Sequence, residues 1–233
     1  SNIIAIDNHY ELLKRAFKRH KRLLCNANDN YGETYFSNEE GKNDTAAIDK
    51  IIFDKNIVND YENNNEHDSN HVQNHVNSES YSIKMTKSST AIVITAPTII
   101  GFLHGLQRIS QFCVSGYCNV TNVNIVDRPQ YIHRGLLLDV GRRFIPMATL
   151  YMILDGMAAL HMNTFHWHLT DWVGIRFETK SFPELNANKR YYKKKDIANI
   201  INYAIDRGIN VYPELDVPGH AHCFVKASDI INK

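Results

Sequence analysis

Two pairs of polar residues are spaced as neighbours on one face of a β-strand. His166 and His168 are two residues apart, as are Glu214 and Asp216, and side chains two apart point to the same face of a strand. His220 follows the second pair after a Pro-Gly bend that can direct it into the same crevice. Imidazoles and carboxylates at such positions suit metal binding or acid–base chemistry.

The metal interpretation is a zinc-dependent hydrolase that would take its imidazole ligands from four residues. Those residues are His166, His168, His220 and His222. The alternative is a polar interior in which histidines donate to carboxylates. Because the sequence offers no third clear ligand of known geometry, we favour the polar interior over the metal site.

The elements that must position these residues alternate between strand and helix after residue 129. Short apolar runs predict strands at Gly135–Asp139, Asn163–Leu169 and Ile209–Leu215. The helix between the first two opens at Pro146 and has apolar positions Leu150, Leu154, Met157 and Ala158. The next helix has apolar positions Ile197, Ile200, Ile201 and Ala204, and Gly208 ends it. This order predicts parallel strands with right-handed crossovers and a ligand site at their carboxyl ends.

The first half of the chain predicts a smaller α+β unit. A capping box at Asn8 and Glu11 starts a helix over 9–25, and Thr98 caps another. Strands are predicted at Lys50–Val58, Tyr81–Lys87 and Ala91–Ala96. Residues 59–79, rich in Asn, His, Asp and Ser, predict a loop or insertion. We therefore expect domains at 1–126 and 127–233.

Composition excludes some partners. Hydrophobic residues make up 43% of the chain, charged residues 22%, and the formal net charge is +1. A nearly neutral chain with no block of like charge disfavours nucleic acid or an anionic membrane as the main partner. No apolar run approaches the ~20 residues of a membrane span.

Cysteines and glycosylation triplets bear on the compartment. Of the four cysteines, Cys113 and Cys118 flank a short turn and are either a small disulfide loop or unpaired thiols. Asn-x-Thr triplets begin at Asn43 and Asn119 and favour a secretory route weakly.

Four segments resemble glycoside hydrolase family 20. Residues 133–149 (HRGLLLDVGRRFIPMAT) are similar to the opening of that family's barrel, and 162–171 (MNTFHWHLTD) to its second strand. Residues 182–185 (FPEL) resemble the loop that follows, and 207–220 (RGINVYPELDVPGH) the third strand. The resemblance implies the first three units of an incomplete (β/α)8 barrel, preceded by the small domain found in eukaryotic members.

Membership would imply a retaining β-N-acetylhexosaminidase that removes terminal N-acetylglucosamine or N-acetylgalactosamine. Family 20 enzymes use substrate assistance, in which the sugar's acetamido oxygen attacks the anomeric carbon. One carboxylate orients the acetamide and a neighbouring glutamic acid protonates the leaving oxygen. The resemblance implies no metal and no organic cofactor.

The resemblance also assigns roles to residues. Arg134 is expected to bind sugar hydroxyls, because a guanidinium offers several fixed donors. Asp171 and His220 are expected to form a polar network beside the general acid and tune its pKa, with Asp216 supporting His220 or the pocket floor. Two further residues fit the same pocket: His168 and Glu214.

Departures from the family pattern bear on activity. Trp172 follows Asp171 where many members carry a second acid, and could stack on a sugar or cap the core. Lys193 stands where a capping Ser or Thr is usual. The catalytic Asp-Glu pair of the family's fourth strand is not among residues 1–233. We expect the native chain to continue past Lys233 with that pair, and residues 1–233 alone to be inactive.

The remaining expectations concern partners and alternatives. The resemblance implies a glycan with a terminal N-acetylhexosamine as substrate, a lysosomal or secreted location, and possible homodimerisation. The alternative functions are a noncatalytic carbohydrate-binding relative and the zinc-dependent barrel hydrolase.

Overall fold

A computed structural model describes residues 12–13, 15–16, 18–20, 50–54, 78–86, 91–114, 117–118, 122–186 and 190–225. The chain divides into two compact units, Ser1–Ile132 and His133–Lys233. The boundary expected from the sequence lies between residues 126 and 127. Each unit contains strands and helices, in agreement with the predicted mixed α/β class.

The first unit contains a four-stranded sheet in the order β1-β3-β2-β6. Its strands are β1 (Lys50–Asp54), β2 (Tyr81–Met85), β3 (Ala91–Thr95) and β6 (Val123–Asp127). The pairing of β1 with β3 is parallel, whereas β2 runs antiparallel to both β3 and β6. A two-stranded hairpin of β4 (Cys113–Val114) and β5 (Tyr117–Cys118) precedes β6.

Helix α1 (Ile99–Ser110) packs in the core of this unit. Thr98 caps it by accepting a hydrogen bond from the Gly101 backbone N–H, as predicted. The buried core joins α1 to alternate residues of β2 and β3: Ile83, Met85, Ile92, Ile94, Phe102 and Leu106. At Gly105 a Cβ atom would lie 2.7 Å from the Ile94 side chain, so glycine lets the helix approach the sheet closely.

Most predicted elements of the first unit are confirmed where they are described. Strands β2 and β3 end slightly earlier than predicted, and β1 is described only to Asp54. The described residues among 12–20 are helical, whereas the Asn8–Glu11 capping box and both ends of that helix lie outside the described residues. So do residues 59–77 of the predicted loop and the triplets at Asn43 and Asn119.

The hairpin and β6 were not predicted. In the hairpin the backbones of Cys113 and Cys118 pair directly, but their side chains lie outside the described residues, so the disulfide stays a prediction. Strand β6 has alternating burial, yet Val126 is 80% exposed. An edge strand of this kind has a weak hydrophobic pattern.

The second unit is built on a parallel three-stranded sheet, as predicted. Its order is β11-β8-β7, with strands β7 (Gly135–Asp139), β8 (Thr164–His168) and β11 (Asn210–Glu214). Helix α2 (Met147–Ala159) follows β7, and α3 (Lys194–Ile205) precedes β11. A small antiparallel hairpin of β9 (Thr170–Asp171) and β10 (Gly174–Ile175), and a 3-10 turn at Pro183–Asn186, lie between β8 and α3.

One face of this sheet is covered by the helices and the other is open. The covered core contains Phe165, Trp167, Ile209, Leu150, Leu154, Met157, Ile200 and Ala204. On the opposite face Leu137 is 54% and Tyr212 59% exposed. Because side chains alternate along a strand, the even-numbered histidines of β8 point to this open face.

The helix ends follow from local sequence. Pro146 is the N-cap of α2, and the Asp196 carboxylate accepts a 2.9 Å hydrogen bond from the Lys193 backbone N–H at the start of α3. The Lys193 ammonium can only donate hydrogen bonds, so it cannot accept one from a backbone N–H. Only the half of the capping box that uses the Asp196 carboxylate therefore forms. Gly208, with φ 72°, lies in the left-handed region that a turn after α3 requires.

Candidate active site

The carboxyl ends of the three parallel strands bring the predicted residues into one row. Strand register places Asp139 opposite His168, and His168 opposite Glu214. The His168 backbone carbonyl also accepts from Val140 and Gly141, which fixes the turn after β7 against β8. Adjacent strands lie about 4.8 Å apart, so the three side chains are within contact distance.

Asp171 is the most buried carboxylate of this cluster, at 2% exposed. It ends β9, where it accepts from the Trp172 backbone N–H at 2.5 Å and from His168 Nε2 at 3.1 Å. Burial disfavours the charged carboxylate, but these hydrogen bonds, with the positive charge of Arg142, hold the pKa of Asp171 below its ordinary value. Asp171 is therefore a fixed negative charge in the site.

His168 links two carboxylates. Its Nε2 faces Asp171 and its Nδ1 lies 3.1 Å from Glu214 Oε2. Burial disfavours the imidazolium, but the hydrogen bonds to Asp171 and Glu214 outweigh it and raise the pKa of His168. His166 Nε2 also contacts Glu214 Oε2, so one carboxylate joins both histidines of β8.

Asp216 and His220 form a second pair, which is one of the two roles that the family resemblance allowed for Asp216. His220 Nδ1 lies 2.6 Å from Asp216 Oδ2, and the Asp216 backbone N–H donates to Thr170 Oγ1 at 2.9 Å. His220 has φ 52°, in the left-handed region, which costs a non-glycine residue free energy. Its ring meets that of His168 edge-on, with centroids 5.6 Å apart. The two pairs therefore belong to one cluster.

Asp139 and Arg142 belong to the cluster, although the sequence did not single them out as site residues. Arg142 Nη1 lies 2.7 Å from Asp139 Oδ2, and its Nη2 3.1 Å from Asp171 Oδ2. One feature of the sequence could have identified Asp139: it ends β7, and the other site residues also lie at strand ends. Arg142 is 58% exposed on its side chain and resembles a surface arginine in sequence.

Arg176, also missed from the sequence, supports the site from behind. It is 3% exposed, and its guanidinium donates to the carbonyls of Val140 at 2.8 Å, Gly141 at 2.9 Å and Arg190 at 3.0 Å. It thereby holds the turn that carries Arg142. No local pattern distinguishes such an arginine from an exposed one.

Arg134 lies at the opposite end of β7 from this cluster. Its backbone N–H donates to Asn163 Oδ1 at 3.0 Å and its Nε to the His161 carbonyl at 2.7 Å. Asp139 lies five positions further along the chain, or about 16 Å at the usual rise per residue. The structure therefore does not bring Arg134 into contact with the other five predicted residues.

Trp172 does not cap the core. It occupies the tip of the β9–β10 hairpin, is 57% exposed, and stacks on His222 with ring centroids 3.8 Å apart and planes 11° apart. The sequence analysis gave two roles for Trp172, stacking on a sugar and capping the core. The exposure of Trp172 is compatible only with the first.

The donor atoms of this cluster suit hydrogen bonding better than metal. Ligand atoms of His168, Asp216 and His220 lie within 4.8 Å of one another, as do those of Asp139, His168 and Asp171. His168 is common to both groups, and each of its ring nitrogens already faces a carboxylate. A ring nitrogen that donates to a carboxylate has no lone pair to offer a metal.

The chain belongs to glycoside hydrolase family 20, and two family models carry this assignment. The family described as "Glycosyl hydrolase family 20, catalytic domain" matches residues 131–233. The family described as "beta-acetyl hexosaminidase like" matches residues 4–112.

Particular relatives are β-hexosaminidases. That of Emericella nidulans is 38% identical over 61% of this chain and 25% of its own length. The chitobiase structure from Flavobacterium johnsoniae has a TM-score of 0.60 and 40% identity, covering 66% of this chain and 24% of that one. The β-N-acetylhexosaminidase of Streptomyces coelicolor A3(2), at 21% identity, shares the fold with a TM-score of 0.68 over 93% of this chain and 42% of its own.

The chain spans about a quarter of the length of the curated relatives it matches. Among the described residues, no helix combines the length and apolar composition needed to cross a membrane.

Proposed function

We propose that the complete protein is a β-N-acetylhexosaminidase that removes terminal N-acetylglucosamine or N-acetylgalactosamine from glycans with retention of configuration. The observation that carries the proposal is the buried Asp171 carboxylate, held by His168 and Arg142 in one cluster with the Asp216–His220 pair. Such a network can fix the charge around a neighbouring general acid.

In this proposal the residues of the cluster act on the acid and not on the sugar bond itself. The acid and its partner aspartate are not among residues 1–233, which contain no Asp-Glu dipeptide. The negative charge of Asp171 and the imidazole of His220 would raise the pKa of an adjacent glutamic acid and keep it protonated for the leaving oxygen. Asp216 orients His220, while His168, which also contacts Glu214, holds Asp171 in place.

We further propose that Arg134 binds hydroxyls at the far end of the terminal sugar from Asp171. The separation of about 16 Å along β7 has to be spanned by the sugar and an extended guanidinium side chain. Arg134→Ala is expected to raise KM for an aryl N-acetylglucosaminide, and Arg134→Lys to restore little because the fork of donors is lost. Thermal unfolding of both variants separates this effect from the loss of the His161 contact.

Substrate assistance is the finer part of the proposal. The test is hydrolysis of two aryl glycosides by the complete protein, one with a 2-acetamido group and one with a 2-hydroxyl group. If the acetamido oxygen is the nucleophile, only the first is hydrolysed, and the first sugar released has the β configuration. Equal hydrolysis of both would contradict substrate assistance.

Zinc-dependent hydrolysis is the weaker candidate, because both ring nitrogens of His168 already face carboxylates. Metal analysis of the purified protein decides this, and stoichiometric zinc would overturn the proposal of a cofactor-free site. A noncatalytic carbohydrate-binding relative is the other candidate, and binding of N-acetylglucosamine without hydrolysis by the complete protein would favour it.

The proposed partner is a glycan with a terminal N-acetylhexosamine, and neither nucleic acid nor a membrane span is proposed. A lysosomal or secreted location and homodimerisation complete the proposal. Mass measurement by light scattering tests the dimer, and glycosidase treatment of protein from its native source tests passage through the secretory route.

A further inference from the structure

Trp172 differs from the other tryptophan of the chain in its surroundings. Trp167 is 0% exposed and belongs to the core beneath the sheet. Trp172 is 57% exposed at the tip of the β9–β10 hairpin, beside the similarly exposed Val173. Burial of apolar area in this unit therefore does not account for a tryptophan at position 172.

His222 fixes the orientation of this indole. The two rings are nearly parallel, with centroids 3.8 Å apart. His222 is half-buried and directly precedes Cys223, which is 8% exposed, so its backbone is held next to a buried residue. An indole backed by a second ring forms a rigid surface that loses little conformational freedom when a ligand packs on it.

The surface formed by Trp172 and His222 adjoins the residues that we propose flank the general acid. The Trp172 backbone N–H donates to Asp171 Oδ1 at 2.5 Å, and His222 is two residues after His220. A general acid that protonates the leaving oxygen stands at the scissile bond itself. Residues next to its supporting network therefore lie near the sugar on the leaving-group side of that bond.

We infer that Trp172, oriented by His222, is the stacking surface for the sugar on the leaving-group side of the scissile bond; the inference rests on the proposed function. The face of an indole is electron-rich, and the C–H groups on one face of a pyranose are its electropositive counterpart. The ligand is thus the second sugar of a β-linked N-acetylhexosamine chain. Trp172 makes the enzyme prefer oligosaccharides to simple glycosides.

The test compares two substrates of the complete protein: N,N′-diacetylchitobiose and the methyl glycoside of N-acetylglucosamine, which lacks the second sugar. Trp172→Ala is expected to lower kcat/KM for the disaccharide about tenfold more than for the methyl glycoside. Trp172→Phe should retain most of the preference, and Val173→Ala, at the same hairpin tip, should change neither rate. Equal losses on both substrates, or no loss on either, would overturn the inference.

If neither substrate is cleaved, that result counts against the proposed function and not against the role of Trp172. A binding measurement then tests the role of Trp172 by itself. The thioglycoside analogue of N,N′-diacetylchitobiose, which resists hydrolysis, is titrated into wild type and Trp172→Phe. A shift of tryptophan emission to shorter wavelength in wild type, absent from the variant, is expected. Saturable binding with the same emission change in both proteins, or no binding to either, would overturn the inference.

Discussion

His168 and Asp171 are joined by a 3.1 Å hydrogen bond between two side chains that are almost fully removed from solvent. The contacts raise the pKa of His168 and lower that of Asp171, so each residue favours the charged form of the other. Because Glu214 and Arg142 contact this pair, the charge of the whole cluster depends on it.

His168→Gln is expected to reduce stability in a pH-dependent manner. With a pKa raised above 6.5 in the folded state, His168 contributes fully below pH 6.5, and its contribution is lost as pH rises through the folded pKa. The difference in unfolding free energy from wild type should be about 2 kcal/mol below that pH and shrink above it. Urea unfolding measured across this range checks it, and a constant difference would contradict the charged pair.

Asp171→Asn should show the opposite dependence. The lowered pKa means that the Asp171 contribution is present above pH 3.8 and is lost as pH falls through the folded pKa. The same unfolding series, extended to acid, should therefore show wild type and variant converging as pH falls. A difference that grows in acid would be inconsistent with the contacts to His168 and Arg142.

Gly141→Ala is expected to disturb the site directly. A Cβ at position 141 would lie 2.8 Å from the Asp171 Cβ and 2.9 Å from its backbone N, so Asp171 must move. We expect at least about a tenfold loss of hydrolysis by the complete protein, since displaced site residues lose their alignment. Gly156→Ala is the control: it lies in α2 with nothing within 4 Å of the new Cβ, and should keep full activity. Normal activity of Gly141→Ala would contradict the close approach.

Arg176→Met should reduce the free energy of unfolding more than Arg142→Met does, because Arg176 is buried and Arg142 is exposed. Loss of the Arg176 guanidinium leaves carbonyl groups of Val140, Gly141 and Arg190 without these donors and should cost about 3 kcal/mol or more. Arg142 is 58% exposed, so its loss should cost less than about 1 kcal/mol. Thermal unfolding monitored by circular dichroism measures both, and equal losses would refute this division.

The sequence predicted the parallel strands well because their residues carry the information locally. The run Gly135–Asp139 is continuous and apolar and has the same bounds in the structure. Hairpin β9–β10 was not predicted, since its two-residue strands are too short for any periodicity. Strands β4 and β5 are also only two residues long, so the sequence predicted a turn between Cys113 and Cys118 but not their strand pairing.

The candidate site was predicted in part. His168, Asp171, Glu214, Asp216 and His220 meet because carboxyl ends of parallel strands share one edge. The contact of Arg142 with Asp171 depends on the packing of two turns, and the burial of Arg176 on carbonyls far away in sequence. Neither can be read from residue type or spacing. The role of Arg134 still rests on the family resemblance, since its contacts lie at the other end of β7.

The central claim is that Asp171 belongs to the catalytic site of a β-N-acetylhexosaminidase. The most direct measurement is kcat for an aryl N-acetyl-β-glucosaminide, determined for the complete wild-type protein, Asp171→Asn and Asp155→Asn. Asp155 is an exposed residue of α2 that pairs with Arg207, and serves as the matched control. We predict that wild type and Asp155→Asn release the aryl group at similar rates, while Asp171→Asn is slower by about a hundredfold. Failure of wild type to release it, or equal rates for wild type and Asp171→Asn, would contradict the claim.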